Sequence, residues 1–125
     1  MLTVENTASP DFTSVQHRGS KRTELQRHAL SIAGREVIQV RIDFDPCFRS
    51  PEHMHPGDEI VYVLEGTLEY RVQGRPPVTL RPGGVLFIPA LAIHTVTNVG
   101  TGTGAELATY IVDRHLPLVA PVRQS

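Results

Sequence analysis

Four residues carry the densest chemical signal in the chain. His53 and His55 stand two apart, and in an extended segment that spacing puts both imidazoles on one face, with Cα atoms about 6.6 Å apart. Two ring nitrogens can then address one ion. Pro56-Gly57-Asp58 reads as a chain reversal that delivers Glu59 to the head of the next strand, where its carboxylate can close on the same point. His94 follows Pro89-Ala90-Leu91 at the start of a distant strand and is free to approach from the opposite side. Nitrogen and oxygen donors together suit one borderline divalent ion (Mn, Fe, Co, Ni, Cu or Zn), and with a single cysteine no thiolate cluster favours zinc. Three neutral imidazoles, one carboxylate and a divalent ion leave room for water, O₂ or a chelating substrate if the ion takes five or six ligands. A redox-active iron could activate O₂ with an enolate or catecholate; a redox-inert ion could polarise a carbonyl for isomerisation, decarboxylation or elimination. Glu59, if loosely bound, doubles as the catalytic base, because no other His, Asp or Glu is visibly placed as a dedicated acid or base. The alternative is a metal-free barrel in which these side chains only hydrogen-bond one another.

The elements that must position them read as strands. Ile38, Val40, Ile42 and Phe44 alternate with polar residues, as do Leu68, Tyr70 and Val72, which describes strands with one buried face. Further strand runs are read at Glu59–Leu64, Val78–Leu80, Val85–Ile88, His94–Val99 and Ala105–Val112. Ten Gly and ten Pro fall mostly in the turns between these runs and leave no room for a long helix. Many short strands at close spacing indicate a sandwich or barrel. With 125 residues one domain is expected, spanning residues 21–125 and preceded by a flexible arm over residues 1–20 that is rich in Ser, Thr, Asn, Pro and Gly.

At fixed separations the chain resembles the cupin superfamily, as a small single-domain cupin. The first cupin motif, G-x5-H-x-H-x3/4-E-x6-G, is similar to His53, His55, Glu59 and Gly66. The second, G-x5-P-x-G-x2-H-x3-N, is similar to Gly83, Pro89, His94 and Asn98. Cys47 and Leu91 stand where the motifs have glycine, at turn positions. The resemblance covers about Arg35 to Val112 and implies an all-β double-stranded β-helix, the jelly-roll cupin barrel, with His53, His55, Glu59 and His94 as ligands of one divalent metal. Cupins host dioxygenases and isomerases or lyases as well as non-catalytic small-molecule sensors, so the fold does not choose among them. The expectation is a metal-dependent enzyme on a small organic acid or carbonyl compound; a non-catalytic binding module is the alternative. No helix-turn-helix pattern precedes the motifs, which tips the reading toward an enzyme.

If Glu59 faces inward, Val61 and Val63 do too, and Val96 lies beside the site. Asp58 is read as a turn cap, Asn98 as a strand-end hydrogen-bonding residue, Arg41 as outward-facing and Cys47 as an idle thiol. Tyr62, Tyr70 and Tyr110 are read as core or interface, and His17, His28 and His115 as structural or exposed. Twelve Lys and Arg against thirteen Asp and Glu give a net charge of −1 with no basic stripe, which argues against nucleic acid. No apolar run is long enough to cross a membrane and no export signal is visible, so a cytoplasmic location is expected. A homodimer is expected as well: Ile60, Tyr62 and Leu64 form an outward apolar stripe, and the segment Arg22–Ser31 is read as free to join a neighbour's sheet. The alternative cover for the stripe is the chain's own C-terminal segment, Leu116–Val122.

Overall fold

In the computed structural model, which describes residues 14–122, the alternating segments become eleven strands: β1 (Ser14–His17), β2 (Ser20–Ala29), β3 (Arg35–Phe44), β4 (His53–Met54), β5 (Asp58–Glu65), β6 (Leu68–Val72), β7 (Val78–Leu80), β8 (Val85–Ile88), β9 (His94–Asn98), β10 (Gly104–Asp113) and β11 (Ala120–Pro121). They form a six-stranded sheet ordered β1-β2-β3-β10-β5-β8 and a five-stranded sheet ordered β11-β4-β9-β6-β7. Every pairing is antiparallel. The two sheets close face to face as a jelly-roll barrel, and the inward residues of β3, β5, β6, β9 and β10 make one core that includes Ile38, Val40, Val61, Val63, Leu68 and Val72. The alternation was therefore a reading of which face is wet. Among the described residues there is no helix, and so none long and apolar enough to cross a membrane.

Three expectations change. Residues 14–20 belong to β1 and the start of β2, so regular structure begins before Lys21; the first thirteen residues of the expected arm lie outside the described ones. The segment Arg22–Ser31 is not free for a neighbour's sheet, because β2 pairs with β3 along Ser20↔Phe44 to Ala29↔Glu36. The connecting turn is tight, with Leu30 N–H donating to the Arg35 carbonyl at 2.9 Å and Arg35 N–H to that of Ile32 at 3.2 Å. A bulge between Glu24 and Gln26 interrupts the pairing, and Leu25 there is exposed. The C-terminal segment does not cover the outer stripe either: Leu118 packs on the core and Ala120 pairs with Met54.

Two turns bring the motifs together. Gly57 lies so close to β10 that a Cβ there would stand 1.9 Å from the Ile111 carbonyl oxygen, so only glycine lets Glu59 start its strand in this place. The turn before β9 is fastened to the turn before β5 by Leu91 N–H donating to the His55 carbonyl at 2.8 Å and Ala90 N–H donating to Asp58 Oδ1 at 3.0 Å. Asp58 thus caps across two loops. Asn98 ends β9 by donating to the carbonyls of Phe44, Asp45 and Gly102 while its Oδ1 accepts from Gly100 N–H.

Candidate metal centre

β4 and β9 are neighbours in the smaller sheet, and their register sets His53 directly opposite His94. His55 follows β4 and comes to the same place from the turn. Glu59 faces them from the other sheet, where Tyr110 and Ile88 are its cross-strand neighbours. One ring nitrogen from each of His53, His55 and His94 lies within 4.8 Å of the other two. Glu59 Oε1 is 3.1 Å from His55 Nε2 and 3.5 Å from His94 Nε2. The structure brings all four candidates together; His55, Glu59 and His94 are buried, and His53 is partly exposed toward a cavity.

The three Nδ1 atoms each face a backbone carbonyl at 2.9 Å: Pro51 for His53, Leu118 for His55 and Ala92 for His94. A carbonyl can only accept, so each neutral ring carries its proton on Nδ1 and offers a lone pair at Nε2. For His55 and Glu59 this has a direct consequence. Nε2 and the carboxylate Oε1 face each other at ion-pair distance with no proton between them, and both atoms are buried without a hydrogen-bond partner. Converging buried acceptors need either a proton or a cation. Carbonyl-bonded imidazoles with Nε2 lone pairs aimed at one point are the arrangement that orients histidine ligands for a metal. The residues present therefore suit a divalent ion.

The electrostatics without an ion show the same tension. Burial, then the neighbouring charge of His94, lowers the pKa of His53 to about 4. Burial would lower His94 as well, but hydrogen bonding to Glu59 and to the Ala92 carbonyl raises it. Burial would raise Glu59, yet the pull of His55 and His94, which could donate to it only with a second proton on each ring, holds it at about 2. A carboxylate this committed to its charge requires positive partners.

The centre opens into a cavity of about 520 Å³ lined by His53, Glu59 and His94 at one place and by Ile42, Phe44, Phe48, Ile88 and Val96 along its walls. That volume is in the range of small-molecule sites. Sequence reasoning missed the polar groups beyond these walls. Glu106 on β10 is buried and accepts from the Tyr70 hydroxyl at 2.5 Å; burial and then the charge of Glu59 push its pKa up to about 8. Tyr110, four residues along the same strand, packs edge-on to His55, with ring centres 4.7 Å apart. Arg22 of β2 donates to the Tyr110 hydroxyl at 3.3 Å. The signal was present in the parity of β10, where Glu106, Ala108, Tyr110 and Val112 share one face. Outside the site, Arg41 pairs with Asp43 and Glu65, Tyr62, Cys47, His28 and His115 are exposed, and His17 ends β1.

A barrel of this topology, with a histidine pair, a carboxylate and a distant histidine converging on a cavity, defines a cupin. The Cupin domain family model matches residues 40–111, and the chain belongs to that family. It is 31% identical over 85 residues to Germin-like protein 1 of Brassica napus, across 64% of this chain and 41% of that protein. It is 42% identical over 40 residues to the dimethylsulfoniopropionate lyase DddQ of Ruegeria pomeroyi, across 32% of this chain and 20% of that one. The chain thus spans less than half the length of either relative. Among solved structures an oxalate oxidase superposes with a TM-score of 0.66 at 26% identity, over 96% of this chain and 60% of that chain. The polyketide cyclase RemF of Streptomyces resistomycificus shares the fold, with a TM-score of 0.66 at 24% identity over 90% of this chain and 75% of that one.

Proposed function

We propose that His53, His55, Glu59 and His94 hold one divalent metal ion and that the protein is a metal-dependent enzyme acting on a small organic acid or carbonyl compound in the adjoining cavity. The observation that carries the reading is the set of three Nδ1–H···O=C bonds, which leaves a lone pair on each neutral ring's Nε2 beside the Glu59 carboxylate, with His55 Nε2 and Glu59 Oε1 buried and without a hydrogen-bond partner. The activities that name the similar proteins, a lyase and an oxidase, support chemistry of the isomerase/lyase or the oxygen-dependent type.

A bound divalent ion would supply Lewis-acid polarisation of a substrate oxygen or, if redox-active, electron transfer. The chain's own residues supply the rest. The carbonyls of Pro51, Leu118 and Ala92 fix the ring orientations, and the apolar walls exclude water from the substrate's body. Glu59 is the proposed base, and Glu106 holds a proton at neutral pH with Tyr70 fixing its carboxyl. A homodimer belongs to the same proposal. Ile60 lies opposite Phe87 and Tyr62 opposite Val85 on the outer face beside the edge strand β8, and all four side chains are at least 45% exposed; a twofold mate would cover this patch with no further sequence.

Elemental analysis of protein purified without an affinity tag tests the reading. One equivalent of metal is expected in the wild type and none in His53→Ala/His94→Ala, with the barrel still folded by circular dichroism. Stoichiometric metal in the double variant would overturn the ligand set. Ligand binding without turnover of any organic acid, with or without O₂, would instead make the protein a non-catalytic binding module.

A further inference from the structure

Beside the metal centre the cavity has two further hydrogen-bonding residues, Arg22 and Tyr110, with Glu106 on the same strand as Tyr110. Arg22 lies opposite Ile42 in the β2–β3 register, so its side chain enters on the cavity face of that sheet. Its Nη2 donates to the Tyr110 hydroxyl at 3.3 Å, and the guanidinium carbon is 5.8 Å from the centre of the tyrosine ring. Among the described residues this is its one hydrogen bond, and it forms no ion pair, so most of its N–H groups are left toward the cavity. Tyr110 is 1% exposed, and its hydroxyl accepts from Arg22 but donates to no described residue. Glu106 does not resolve this, because its hydrogen-bond partner is the Tyr70 hydroxyl. A buried phenol proton and a guanidinium with spare N–H groups therefore meet with no described acceptor in hydrogen-bond contact, and those donors are left to whatever fills the cavity.

We propose that Arg22 and Tyr110 form an anion-binding end of the cavity and that the ligand is a small organic carboxylate, held there by its carboxylate while its apolar body lies against Ile42, Phe44 and Val96. A planar fork of guanidinium N–H groups with one added hydroxyl donor matches the two oxygens of a carboxylate. Tyr110 adjoins the metal centre, as the cross-strand neighbour of Glu59 and with its ring centre 4.7 Å from that of His55, while the cavity walls at Ile42, Phe44 and Val96 are apolar and suit an uncharged carbon framework. Arg18, exposed at the cavity rim, adds a second positive charge to the entrance. Arg22 and Arg18 both precede residue 40, where the family match begins; the charge that selects the ligand comes from outside the segment that holds the metal ligands. The proposal deepens the metal-enzyme reading by naming the substrate's charge and rests on that reading only for what happens at the ligand's other end.

The test is titration calorimetry of the full chain with benzoate and with its neutral isostere benzamide, on metal-loaded and on chelator-stripped protein. The wild type is expected to bind benzoate about tenfold or more tightly than benzamide in both forms. Arg22→Met, and separately Tyr110→Phe, should remove most of that preference while leaving the benzamide affinity within about twofold. A preference that survives both substitutions, or that vanishes on stripping the metal while Arg22→Met leaves it intact, would put the carboxylate on the metal centre and make Arg22 only a counter-charge to Glu59. Absence of any preference in the wild type would overturn the proposal as well. If instead the metal reading is the one that fails, no metal will be found while the Arg22-dependent preference remains.

Discussion

Cys47→Gly should stabilise the protein. Among the described residues Cys47 and Leu91 are the two non-glycine residues in the left-handed region, each with φ of 67°, and they occupy the two places where the cupin motifs have glycine. An L side chain in that conformation costs roughly 1–2 kcal/mol. Glycine at the same place gives back roughly 0.5–1 kcal/mol through its freer unfolded state. Cys47 is exposed, so no buried contact is lost and the net gain should be about 0.5–1 kcal/mol. Leu91 is 63% exposed; losing its remaining burial costs roughly 0.5–1 kcal/mol, and Leu91→Gly should come out near zero. Gly74→Ala supplies the converse: φ is 85° and an added Cβ would meet nothing within 4 Å, so the change isolates backbone strain and should destabilise by about 1 kcal/mol. Urea unfolding followed by circular dichroism, with chelator present throughout, gives the three values from midpoint shifts at constant slope. The reasoning fails if Cys47→Gly lowers the midpoint or if Gly74→Ala leaves it unchanged.

The metal-free protein should lose stability as the pH falls from about 6.5 toward 4. His53 has a folded pKa lowered to about 4 by burial and by His94, so between that value and its ordinary one near 6.5 the unfolded chain binds the extra proton and folding is penalised. His94 is raised and acts in the opposite sense, adding stability at low pH that is lost as the pH rises through its folded value; Glu59, held at about 2, adds a further loss below its ordinary value near 4.5. Thermal melts of His53→Ala should therefore be flatter than wild type from pH 6.5 to 4, and equal slopes would remove His53 as the cause. For the dimer, light scattering should give twice 13.8 kDa for the wild type and a shift toward one chain for Tyr62→Glu; a single-chain mass for the wild type excludes it.

The barrel and the clustering of His53, His55, Glu59 and His94 were legible in the sequence for different reasons. β3 and β6 alternate strictly because one face of each is buried, and Ile38, Val40, Ile42, Leu68 and Tyr70 are indeed among the least exposed residues. His53, His55, Glu59 and His94 could be found because three of them share one turn and the fourth has a fixed place in a second motif. Glu106 and Arg22, which line the same cavity, could not. Glu106 stands alone among apolar residues on β10, and the register shift between Ala105 and Glu106 buries two successive side chains, which hides the parity. Arg22 lies on a strand whose own bulge breaks the alternation. Neither residue is near a histidine in sequence; both reach the cavity through strand pairings that span long stretches of chain, and no local pattern records those.

The carbonyl that fixes His55 belongs to Leu118, sixty-three residues further on. That bond is a statement about the order of folding. His53 and His55 lie close together and can meet early, whereas the pairing of β4 with β11 and of β3 with β10 closes long loops whose entropy must be overcome first. Until β11 docks, the His55 ring is free to turn and to expose either nitrogen. A metal ion present during folding would then meet a flexible chelator in the early chain and an oriented one only after the last strand is laid. Through that one hydrogen bond the orientation of His55 toward the candidate metal site is tied to the docking of the C-terminal segment.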